Sequence, residues 1–128
     1  MSYNLFLDDL RDPNLFFNDT KTWVVVRNHS QFVETITKRG LPDFISFDHD
    51  LAWEHYPMNN AKTGSVILKY DTYKEKTGYD CAKWLVEYCM RINHQLPEWK
   101  VHSMNPIGRD NINAILTRYR DREEDIYE

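Results

Sequence analysis

The chain has few cysteines, few glycines and no surplus of positive charge. Its two cysteines, Cys81 and Cys89, are eight residues apart within one stretch of helical periodicity. At about 1.5 Å of rise per residue they stand about 12 Å apart, beyond the reach of a disulfide. Both are read as free thiols on a buried face, which fits a reducing, cytoplasmic setting. With four glycines in the chain there is no Walker phosphate loop and no Gly-x-Ser-x-Gly elbow, and the cysteines form no Cys-x-x-Cys zinc pair. The net charge of −4 gives no general attraction to nucleic acid or to an anionic membrane. A nucleic-acid substrate must therefore be small or gripped locally, and no extended nucleic-acid surface is expected. No apolar run approaches the roughly 20 residues of a membrane helix, and no basic-then-apolar leader is visible. A length of 128 residues, 41% of them hydrophobic, suits one domain over 1–128 with a core of its own.

What the chain does have is apolar runs that end in polar clusters. Phe44-Ile45-Ser46-Phe47 leads straight into Asp48, His49 and Asp50. Tyr3–Leu7 leads into Asp8 and Asp9, and Trp99-Lys100-Val101 into His102, Ser103 and Asn105. Trp23–Val26 is a fourth run, β-branched and read as a buried strand. Ser30 is a plausible N-cap for a helix that carries Phe32, Val33 and Ile36 on one face, and Gly40-Leu41-Pro42 closes it. A second helix begins near Gly78, with Cys81, Leu85, Tyr88, Cys89 and Ile92 at helical spacing. Asp80 in its first turn is either a partner of the helix dipole or part of a site. A third helix follows Pro106 and Gly108, with Ile112, Ile115, Leu116 and Tyr119 on one face. Residues 52–78 break the rhythm and read as an insertion after strand 3, either a lid or a passive loop.

Strands alternating with helices imply an α/β fold with a mostly parallel sheet and helices on its faces. We expect four strands in the order 2-1-3-4, which sets Asp8 and Asp9 beside Asp48. Ligands of open α/β sheets bind at the carboxyl ends of the strands.

Asp8, Asp9 and Asp48 form an oxygen-rich group. Close carboxylates raise one another's pKa unless a cation accompanies them, and Mg²⁺ or Mn²⁺ is held by such groups together with water and phosphate oxygens. The other reading of Asp8 and Asp9 is local turn capping. His49 and His102 are candidates for proton transfer or phosphate contact. Ser103 and Asn105 offer donors to a phosphoryl oxygen. Arg11 and Arg109 offer bidentate phosphate contacts or, alternatively, surface ion pairs. Asn105–Arg109 leads into a helix N-terminus, a natural anion site.

Four stretches, Leu7–Pro13, Trp23–Arg27, Asp48–Leu51 and His102–Ile112, together resemble the cyclic-phosphate processing receiver domain family, a divergent branch of the receiver (CheY-like, flavodoxin-like) three-layer fold. The resemblance spans nearly all of the chain outside 52–78. It implies a metal-dependent enzyme acting on a cyclic phosphate, at an RNA end or on a nucleotide, in RNA repair or phage–host conflict. By the receiver pattern Asp8 and Asp9 match the acidic metal pair, Asp48 the phosphoacceptor and Ser103 the phosphate-contacting hydroxyl. No fifth strand is evident, so the usual receiver lysine has no counterpart. His49, Asp50 and His102 are additions that suit turnover better than storage of an aspartyl phosphate. The first expectation is thus a metal-dependent phosphoesterase using Asp48, His49, Asp50 and His102. The alternatives are a module that sequesters a cyclic nucleotide or phosphate without turnover and a receiver-like signalling domain.

Overall fold

The structure, a computed structural model, describes residues 2–15, 17, 22–52 and 76–127. Four strands, β1 (Asn4–Leu7), β2 (Trp23–Val26), β3 (Phe44–Phe47) and β4 (Glu98–Val101), form one sheet. All neighbours are parallel and the order is β2-β1-β3-β4, as the alternation of apolar runs and helices predicts. Among the described residues there are three α-helices, in chain order α1 (His29–Arg39), α2 (Gly78–Ile92) and α3 (Pro106–Tyr127).

The two central strands are buried almost throughout, and that is why they read as continuous apolar runs. Edge strand β4 alternates instead, with Glu98 and Lys100 exposed and Trp99 and Val101 half-buried. Leu5, Leu7, Ile45 and Phe47 point to one face of the sheet. There they share a core with Phe32 and Ile36 of α1, Cys81, Leu85 and Cys89 of α2, and Ile112 and Leu116 of α3. Side chains two residues apart share a strand face, so Phe6 and Ser46 lie on the other face; both are fully buried. Phe17 packs against Trp23 and Phe44, with Lys100 over its ring. The described residues thus build two of the three expected layers. Most of the expected insertion, 53–75, and with it the lid reading, lies outside them. Thr77 and Gly78 belong to α2 and its cap.

The helix ends correct two expectations. α1 is capped by Asn28, whose side chain accepts from the Gln31 amide at 2.9 Å; Ser30 already lies inside the helix. Asparagine serves at an N-cap as well as serine, and Asn28 has the extended backbone that the position requires. On α2, Ile92 falls in the last turn beside the left-handed Asn93 cap and is exposed. At the start of α2, Asp80 resolves as a capping residue. It accepts the Thr77 amide at 2.8 Å while Thr77 accepts the Asp80 amide, a reciprocal capping box. Both cysteines are buried and neither is in a disulfide. Among the described residues no helix is long and apolar enough to cross a membrane.

Gly40 closes α1 with φ of 86°, and its carbonyl receives the buried Tyr3 hydroxyl at 2.6 Å. Burial pushes the Tyr3 phenol up from 10.0 to about 12, against the pull of Arg39. The folded state therefore prefers the neutral phenol. The stability this gives is complete below pH 10 and is lost as pH rises through about 12. Urea unfolding of wild type against Tyr3→Phe should show that alkaline slope only in the wild type. The variant should be weaker by about 1 kcal/mol at neutral pH, the net worth of one hydrogen bond.

Candidate functional site

The sheet ladder continues one residue past the strands. The Asp8 amide donates to Val26 O at 3.1 Å, the Asp48 amide to Leu7 O at 2.9 Å and the His102 amide to Phe47 O at 2.9 Å. Each rim residue is thus fixed by the strand beside it, and Asp8, Asp48 and His102 stand side by side across β1, β3 and β4. One ligand atom from each lies within 4.8 Å of the others.

Asp8 is fully buried and receives four donors. Oδ1 accepts the Leu10 and Arg11 amides at 2.9 and 2.8 Å; Oδ2 accepts Arg11 Nε at 2.8 Å and His102 Nε2 at 3.0 Å. Burial works to raise its pKa, but the His102 bond, the two turn amides and Arg11 outweigh it, so the carboxyl stays well below the usual range. Asp8 therefore caps its own turn and also stands within the acidic group.

Asp48 behaves in the opposite way. Burial and then the Asp8 charge push it up to about 7, and Asp50 and Asp9 add to this while Arg11 opposes it. Its Oδ1 accepts the His49 amide at 2.9 Å and lies 3.6 Å from an Arg11 terminal nitrogen.

His102 stacks on Phe6, with ring centroids 4.6 Å apart and planes 6° from parallel. Its Nδ1 pairs with Ser46 Oγ at 2.7 Å. Burial lowers its pKa, with the Asp8 bond and charge pulling the other way. A neutral ring that donates from Nε2 to Asp8 and accepts at Nδ1 from Ser46 satisfies both bonds. His49 is fully buried and its Nδ1 lies 2.7 Å from Asp50 Oδ1, which also accepts Asn105 Nδ2 at 3.0 Å. Its ring fills the space beside Gly108, where a Cβ would come within 2.2 Å of His49 Cγ. The glycine is there because the histidine needs the room.

A cleft of about 290 Å³ opens at this rim. Asp8, Asp48, Asp50, Leu10, Arg11, Met104 and Asn105 line it. His49 and His102 stand behind that lining. Ser103 Oγ turns to its own loop and accepts the Asn105 amide at 3.1 Å. Asn105 is the N-cap of α3: its Oδ1 accepts the Gly108 amide at 3.1 Å, so the cap takes an N–H that an anion would otherwise meet. Arg109 is exposed in the first turn of α3 and is not part of the lining. Asp9 acts on Asp48 through its charge, but the close group of possible ligands is Asp8, Asp48 and His102. The donor chemistry fits a divalent ion. Two buried carboxylates supply hard oxygens, an imidazole orients one of them, and the ionised form of Asp48 is disfavoured as the site stands.

Arg27, the last residue of the stretch Trp23–Arg27, was assigned no role from the sequence. It sits one residue beyond β2, in the place that Asp8, Asp48 and His102 take after their strands. That shared position was the available signal. Its Nη1 donates to the carbonyls of Asp8 and Arg11 at 3.2 and 2.7 Å, and its Nη2 to Asp12 at 2.7 Å. It thereby holds the turn that carries Arg11.

No curated protein and no solved structure matched the chain. One protein family did, and the match runs over residues 3–118, from the strand before Asp8 to well into α3. The chain belongs to the cyclic-phosphate processing receiver domain family.

Proposed function

We propose that the protein is a metal-dependent phosphoesterase that opens a cyclic phosphate carried by a small nucleotide or an RNA end. The observation that carries this reading is the convergence of Asp8 and Asp48, with His102 close behind them, on a cleft that also presents Arg11 and Asp50. Asp8 and Asp48 would hold Mg²⁺ or Mn²⁺, with Asp9 adding charge nearby and His102 orienting Asp8. Such an ion, when bound, neutralises charge on the phosphate and clamps the reacting oxygens.

The remaining work falls to the chain itself. Arg11 meets phosphate oxygens at the cleft wall. A water molecule adds to phosphorus, one ring P–O bond breaks, and the released oxygen takes up a proton, so one water is consumed for each ring opened. Asp50, oriented by His49 and Asn105, is the cleft-lining carboxyl placed to carry that proton. Asp48 is the alternative nucleophile; attack by its carboxylate would give an acyl phosphate that water then hydrolyses. A module that binds without turnover is the second reading. What favours it is that both His102 ring nitrogens are already engaged, with Asp8 and Ser46.

The test follows phosphorus by NMR with RNA ending in 2′,3′-cyclic phosphate, cyclic mono- and dinucleotides, and chelator controls. Asp48→Asn should lower ring opening by about a thousandfold, the order of effect of a group touching the transition state. It should remain folded, because a neutral amide suits a position that already disfavours charge. Binding without conversion by the wild type would move the conclusion to the second reading. Full activity in Asp48→Asn would refute the catalytic assignment.

A further inference from the structure

We propose that Arg11 is the resident cation of this rim, and that it yields the position when a divalent ion arrives. This rests on the reading of Asp8 and Asp48 as a cation site. Arg11 spans both carboxylates, with Nε 2.8 Å from Asp8 Oδ2 and a terminal nitrogen 3.6 Å from Asp48 Oδ1. The two carboxylate side chains are 0% and 4% exposed, while the arginine is 30% exposed and lines the cleft. A guanidinium keeps its charge at any working pH. A second cation shared by the same two carboxylates would lie within a few ångströms of it, and like charges at that distance repel strongly in a buried site.

The backbone around Arg11 is built to stay while its side chain moves. The Arg11 amide is held by Asp8 Oδ1 and the Arg11 carbonyl by Arg27. Neither contact involves the guanidinium. Released from Asp8, the guanidinium stays on a loop that borders the cleft, and a phosphate there offers a bidentate partner in place of the lost carboxylate. The exchange therefore couples the two binding events. Arg11 keeps the acidic pair neutralised in the resting protein and becomes a phosphate ligand only once a metal has taken over the pair. Arg27 is the positioning residue of this device, because it fixes the turn about which Arg11 swings.

The test uses metal alone. Free Mn²⁺ is titrated by electron paramagnetic resonance against the wild type and Arg11→Gln. Removing the resident charge should tighten Mn²⁺ binding by about tenfold or more, the scale on which neighbours of metal ligands act. Equal or weaker binding in Arg11→Gln would overturn the exchange while leaving the cation site standing. No binding by either protein would overturn the cation-site reading and the exchange with it. A second measurement needs no variant: the Arg11 Nε–H resonance of the wild type is followed during Mg²⁺ titration. Saturation should move it towards the position of a solvated arginine. A resonance unmoved by Mg²⁺ that demonstrably binds would also overturn the exchange.

Discussion

Asp8→Ala should destabilise the protein by about 3–5 kcal/mol, the usual cost of removing one partner from a buried charged network. The carboxylate has four donors. Its loss leaves the His102 N–H without its acceptor in a buried setting and the Leu10 and Arg11 amides without their turn cap. Arg11 is left with Asp48 at 3.6 Å as the remaining acid of the pair. Asp8→Asn should fall between wild type and alanine. Its carbonyl oxygen can still accept the two turn amides, but its NH₂ group faces donors. His102 can relieve part of that conflict by taking the other tautomer and donating to Ser46. The sign with pH is also determined. Asp8 is held below its unfolded value, so its contribution is present above about pH 4 and is lost as pH falls further. Urea unfolding between pH 2 and pH 7 should show that acid slope in the wild type and not in Asp8→Asn. An alanine variant as stable as wild type would mean that the network contributes nothing net to the fold.

Gly78→Ala should be at least as damaging and should affect the site and the fold together. A Cβ at this position would stand 1.8 Å from the carbonyl oxygen of Asp48, 2.8 Å from its carbonyl carbon and 2.9 Å from the His49 Cα. All three are backbone atoms, so no rotamer change relieves the overlap. The Gly78 amide also donates to the His49 carbonyl at 2.8 Å. Either α2 retreats with its capping box or the end of β3 is pushed aside, and both routes move Asp48. We expect a loss of about 3 kcal/mol or more, at the upper end for overpacking. Any folded fraction should bind Mn²⁺ poorly. Gly108→Ala should be milder, since the clash there is with the His49 side chain at 2.2 Å. Thermal unfolding of both variants in parallel measures the difference; if Gly78→Ala were the milder of the two, the tight seating of α2 on β3 would be wrong.

The sheet order and the rim were legible because each is written locally. An apolar run followed by a carboxylate or imidazole marks the end of a buried strand, and β1, β3 and β4 repeat that layout. The capping residues were half legible. Gly40 carries its own conformational signature, whereas Asn28 and Ser30 are equally good caps on propensity, and only the backbone at Asn28 decides between them. What stayed hidden depends on contacts between distant segments. Nothing near Ser46 indicates that it faces His102, nothing near Phe6 that an imidazole stacks on it, and nothing near Gly78 that a carbonyl from β3 fills the space of its missing Cβ. For the same reason the expected phosphate donors shift in character. Ser103 and Asn105 are committed to shaping the loop and capping α3, and Arg109 lies outside the cleft lining.

The burial of both native thiols has a practical side. A thiolate is the form that reacts with a maleimide, and burial raises the Cys81 thiol well above its ordinary value while Cys89 is fully enclosed. Met104 is 83% exposed and lines the cleft. In Met104→Cys the new thiol would be the accessible one of three, so a dye would attach at the mouth of the cleft with no prior removal of native cysteines. Its emission would then report occupancy of the cleft for any candidate cyclic phosphate, whether or not the ring is ever opened.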